Sequence, residues 1–171
     1  MRHVPGSLRF TFWIATLATV VNAVAYAATF ADRASSWLLF GVPLLFLVWP
    51  GVVAQWRRVP RRNLVSEIFG DIPRWMKLAV LALLVFAFVN FFVCRALNDS
   101  AQPQLFGGDR AALVARGGRV VRELAPAEYR HARAVQFRMM SGFFVACFGL
   151  AALLAEACWI KNGPAMADRR L

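Results

Sequence analysis

The chain has 171 residues, 60% of them apolar, with a formal net charge of +11 and a mean hydropathy of +0.54. Soluble domains carry about 45–50% apolar residues, so this composition excludes an ordinary water-soluble globule. The charge does not signal nucleic acid: the basic residues stand at the ends of apolar stretches and in loops, where they record topology and meet anionic lipid, and none belongs to a recognisable nucleic-acid reading element.

Four stretches contain no Asp, Glu, Lys or Arg: 10–31, 34–56, 78–94 and 139–155. A bilayer-crossing helix needs roughly 17–25 mainly apolar residues, and all four qualify. They predict spans over 10–31, 37–56, 76–97 and 137–160, an all-α transmembrane four-helix bundle forming one membrane domain.

The first span carries Thr11, Thr16, Thr19, Asn22 and Tyr26. Its basic start and Ala25-Tyr26-Ala27 also fit a secretory signal with a cleavage site, which would leave three spans. The apolar region, however, exceeds the roughly 7–15 residues of a signal. The second span holds Pro43 and Pro50, each of which removes an amide donor and is expected to bend the helix. Arg57, Arg58, Arg61 and Arg62 follow it directly, and Arg74 and Lys77 precede the third span, with only Glu67 and Asp71 opposing. Positive charge on a short loop keeps that loop cytoplasmic. The four clustered arginines are the candidate contact with anionic headgroups, and Leu64, Val65, Ile68 and Phe69 predict a short helix lying on the membrane. Both termini then face the cytoplasm and the 98–134 loop lies outside. That loop nevertheless carries Arg110, Arg116, Arg119, Arg122, Arg130 and Arg133, which argues the other way.

Within the outer loop, two β-compatible runs flank Arg116-Gly117-Gly118 and predict a β-hairpin over 111–124. Pro126 suits a first helical position and Glu128 its first turn. No breaker follows until Gly142, so 126–160 reads as one helix, about 52 Å long at 1.5 Å per residue. The hydrocarbon core takes about 30 Å of it. The rest is a stalk on which the hairpin should pack, and the polar tail, 161–171, is expected to be disordered.

Asn22 lies 13 residues after Arg9, and Asn90 lies 13 after Lys77, which puts both at a similar depth of roughly 20 Å. They are expected to bond across one interface, as packing groups worth about 0.6–2 kcal/mol, or to share a ligand contact. Glu156, the one carboxylate in a hydrophobic run, is expected to pair with Arg9, Arg57 or Lys77, or else to handle a proton or cation. Gly142, Ala146, Gly149, Ala152 and Ala155 make a ridge for close helix approach, within the bundle or between copies. Cys94, Cys147 and Cys158 have no CxxC or Cys/His partner and read as small apolar residues. His3 and His131 fall on opposite sides of the membrane, and no nucleophile–base set converges. No cofactor, metal or catalysis is expected.

Pro73-Arg74-Trp75-Met76-Lys77 leads into a span with Asn90-Phe91-Phe92, and a second run goes from Leu113 through Gly117-Gly118, Leu124 and Glu128-Tyr129 to Arg138 and Ser141-Gly142. Together they resemble a loose group of uncharacterised small bacterial inner-membrane proteins with four spans and a loop before the last, over residues 70–150. Ala125 departs from the pattern where a serine helix cap would stand. The resemblance implies the architecture and a bacterial inner-membrane setting, with the 98–134 loop periplasmic, but no chemistry. The expectation is a non-enzymatic accessory, sensor or immunity-type component that meets a partner protein through Arg116, Arg119, Tyr129 and Arg130. The alternative is a subunit of an oligomeric small transporter or channel built around Asn22, Asn90 and Glu156.

Overall fold

A computed structural model describes residues 6–33, 41–56, 72–107 and 110–162. Helix α1 (Gly6–Ala28) runs into a single 3-10 turn (Thr29–Ala31). Then come α2 (Gly41–Trp56), α3 (Arg74–Leu97), strands β1 (Gln102–Phe106), β2 (Arg110–Val114) and β3 (Val120–Leu124), and a last helix, α4 (Pro126–Asn162). The expected surface helix, with Arg57, Arg58, Arg61 and Arg62, lies outside the described residues, as does the tail from 163 onward.

α4 is the axis on which the other helices pack. Its 37 residues extend about 56 Å, two residues further than the sequence suggested. It starts at Pro126, and the Ala125 N–H donates to Glu128 Oε2 at 2.9 Å. That is the return half of a capping box, made without the serine. On α1 the residues turned inward are Thr11, Ala15, Ala18, Asn22, Ala25 and Thr29, stepping by fours and threes along one seam. All are small, so backbones approach closely. Ala15 and Ala18 join Val48 and Val52 of α2 and Phe144, Phe148, Ala151 and Leu154 of α4 in the main core.

α3 packs in sevens. Gly142 of α4 faces Asn90, and Gly149 faces Leu83, one heptad further along each antiparallel helix. Ala157 meets Met76 and Ile72 near the far end. A β-carbon added at Gly149 would come within 2.9 Å of Leu83 Cδ1, so the glycine is what permits this separation.

These contacts fix chain direction. α1 ends beside His131 and Arg138 of α4, and α3 ends beside Ala132, so both run toward the sheet. The chain must therefore return to the opposite end between them, and α2, alongside Phe144 and Phe148, supplies that run. Three helices (α1 with its terminal turn, α3 and α4) are long and apolar enough to cross a membrane. α2 is described over 16 residues, about 24 Å, short of a ~30 Å hydrocarbon core. Three of the four spans read from sequence thus correspond to helices of membrane-crossing length, and the second is described over 41–56. Residues 34–40, counted into that second span from Trp37 onward, lie outside the described set.

The unit between α3 and α4 is larger than a hairpin. β2 and β3 flank the expected turn, where Gly117 and Gly118 take φ of +112° and +83° and the Ala115 N–H donates to the Arg119 carbonyl at 2.9 Å. β1 adds a third, antiparallel strand on the other side of β2, with Gln102 opposite Val114 and Phe106 opposite Arg110. Pro103 disguises this strand in the sequence. A proline is admitted only where a ladder bond is dispensable, as on an edge. Between Leu113 and Val114 the pairing with β3 shifts by one residue, a bulge that sharpens the local twist. The inner face, with Ala111, Leu113 and Leu124, closes on Ala101, Ala132 and the ring of Tyr129.

Candidate functional site

The sheet end of the bundle is where polar chemistry gathers. Arg138, seven residues inward of His131 on α4, donates from Nε to Thr29 Oγ1 at 3.2 Å and from a terminal nitrogen to the Thr29 carbonyl at 3.1 Å. Its guanidinium carbon lies 3.8 Å from the Phe30 ring centroid. α1 has no basic residue in its last turn, so a neighbouring helix supplies the cation that the partial negative charge of a helix C-terminus favours. Two turns outward, His131 Nδ1 and Asp32 Oδ1 are 2.9 Å apart with both side chains more than half exposed. On α4's other flank, Asn98 Nδ2 donates to the Ala132 carbonyl at 2.9 Å. Three polar ties therefore pin the stalk to α1 and α3. Sequence reading picked out none of the three. The signal available was the spacing of Arg138 and His131 on one α4 face opposite the end of an uncapped helix.

The structure separates Asn22 from Asn90. Asn90 Nδ2 donates to the carbonyls of Arg138 and Met139 at 3.3 and 3.4 Å, and its Oδ1 accepts from Cys94 Sγ at 3.5 Å. Asn22 Nδ2 instead bonds Ala18, one turn back on its own helix, at 2.8 Å. The equal depth expected of them does not bring them together, because they occupy different seams, α3 against α4 and α1 against α4. Glu156 is half-buried, and among the described residues the one ion pair is His131–Asp32. Arg9, a partner expected for Glu156, has its guanidinium 5.1 Å from the ring centroid of Trp159. No cluster of metal-ligating side chains occurs among the described residues.

Of the surface residues singled out, Arg116, Arg119 and Arg130 are exposed, the first two at the hairpin tip. Tyr129 is not free surface: it is half-buried under the sheet. Two clefts flank the sheet. The larger, about 490 Å³, lies between the sheet and the end of α3, lined by Arg95, Ser100, Gln102, Gln104 and Arg116, and no Asp or Glu among the described residues lines it. The other, about 350 Å³, holds Arg122, Glu128 and His131 beside Asn98. Both arise from the tight end of α3. There the Ser100 N–H reaches back to the Arg95 carbonyl at 2.7 Å, with Asp99 and Ser100 at φ of +49° and +58°, a left-handed helix stop made without glycine.

The molecule is thus a helical protein with three apolar helices of membrane-spanning length, capped at one end by a small antiparallel sheet. Comparison of the chain with protein-family models, with curated proteins and with solved structures found no match.

Proposed function

We propose that this chain is a non-enzymatic protein of the bacterial inner membrane whose sheet-and-stalk platform, on the periplasmic side, recognises a partner protein, in an accessory, sensor or immunity-type role. The observation that carries the reading is how firmly the platform is held. The sheet packs on a helix continuous with a membrane-length segment, and that helix is tied to α1 and α3 through Thr29, Asp32 and Asn98. Rigid presentation lowers the ordering cost of association. The hairpin tip and β3 carry Arg116, Arg119 and Arg122 with no acidic residue from 115 to 122, so the partner's complementary surface is acidic.

Photo-crosslinking from the exposed position 121 in native membranes tests this against the lipid-facing position 88. A discrete protein adduct at 121, lost with Arg119→Glu and Arg130→Glu, is the expected result. The transporter alternative would require the intramembrane amides for transit, whereas Asn90 and Asn22 spend their donors on backbone carbonyls. Solute flux through liposomes that vanishes with Asn90→Ala and survives Arg119→Glu would overturn the partner reading.

A further inference from the structure

We infer that the cleft between the sheet and the end of α3 is a binding site for the phosphate of an anionic membrane phospholipid, one without a cationic headgroup, in the leaflet on the sheet's side. Its lining supplies donors of several kinds: the guanidinium groups of Arg95 and Arg116, the Ser100 hydroxyl, and the carboxamides of Gln102 and Gln104. Arginine forks match phosphate oxygens in geometry and charge, and among the described residues no carboxylate lines the cleft to repel an anion.

What makes the ligand a lipid is the surface leading to the cleft. Arg95 lies in the last turn of α3, three, four and seven residues after Phe92, Phe91 and Phe88. These rings share its face of the helix, the one turned away from Asn90 and α4. They are 54%, 46% and 66% exposed, with Phe88 and Phe92 centroids 4.5 Å apart. An apolar strip thus ends at a guanidinium, and the guanidinium borders a cleft of donors. An acyl chain on the rings puts its own phosphate at Arg95, near the boundary between hydrocarbon and water where long basic side chains place their charge. β1 is the element that closes this cleft, since Gln102 and Gln104 face it from the strand's outer side.

The cleft shares Arg116 with the proposed partner surface, so the test separates the two through Arg95 and Gln104 on one side and Arg119 and Arg130 on the other. The delipidated full chain is incubated in neutral detergent with equal amounts of phosphatidylglycerol and phosphatidylcholine, and bound lipid is read by native mass spectrometry. Phosphatidylglycerol should be retained preferentially by about tenfold, a preference that two basic side chains near a membrane surface can supply. It should fall to parity in Arg95→Gln with Arg116→Gln, and also in Gln104→Glu, which puts a carboxylate into the cleft and leaves both arginines in place. Arg119→Gln with Arg130→Gln should keep the preference while losing the crosslinked partner. Equal retention of the two lipids by the wild-type chain, or an unchanged preference in both cleft variants, overturns the assignment. So does competition by free glycerol phosphate as effective as that of the intact lipid, which would show the strip of rings plays no part.

Discussion

At the scale of single residues, the polar groups near the membrane are spent on joints. Arg138 is the clearest case, closing the carbonyl end of α1 while stacking on Phe30. Arg138→Gln should lower thermal stability in detergent by about 1.5–3 kcal/mol, the range for a hydrogen bond to a charged group. Arg138→Lys should recover only part, because an ammonium keeps the charge and loses the planar fork. The two asparagines should diverge in the same assay. Asn90→Ala removes the donor that reaches two α4 carbonyls and should cost about 1–2 kcal/mol. Asn22→Ala gives up a bond within one turn of its own helix and should stay within about 0.5 kcal/mol. Equal losses would mean that Asn22 works across a seam after all. Sequence position gave an expected depth for these amides but not their azimuth, and azimuth decides which neighbour they meet.

At the scale of elements, close approach is set by what is missing. A β-carbon at Gly142 would stand within 2.8 Å of Asn90 Cγ. Gly142→Val should therefore push α3 off α4 and cost about 1–3 kcal/mol, read as a lower melting temperature. At the hairpin tip, Gly117→Val meets no neighbour but must adopt a φ of +112°. Its cost of about 1–3 kcal/mol should stay local, with faster proteolysis near residue 117 and an unchanged bundle transition. How legible each element was follows from its physics. The start of α4 was readable because Pro126 and Glu128 are chemical signals of a helix start, and the β2–β3 turn because two glycines admit positive φ. β1 was not, since a Gln-Pro-Gln segment has no β-branched residue and carries a proline, and it is held by pairing with β2 and by contact with α4. The α1 seam was legible in principle, as small residues in alternating steps of four and three. It was obscured because threonine and asparagine attract attention as chemistry before they are recognised as packing.

At the scale of the whole molecule, direction constrains topology more tightly than hydropathy does. α1 and α3 both run toward the sheet, so the segment between them returns along the bundle whether or not α2 is long by itself. This predicts opposite accessibility for a cysteine at position 104 and one added before Met1. The first should react with an impermeant maleimide in intact cells, the second only after the membrane is opened. Labelling of both from one side would place α2 outside the bilayer. The candidate site was the least legible part of the chain. Arg95 and Arg116 are 21 positions apart in sequence, and Ser100 and Gln104 have no motif to mark them, so the cleft exists only once β1 has paired.

α4 has no proline from residue 127 to its last described residue and no break in its helical course. A shaft without an elastic joint cannot absorb a twist along its length. Any tilt or torque imposed on the sheet by something docking there is carried along α4 toward the Trp159 end, so the platform and the opposite end of the bundle behave mechanically as one lever.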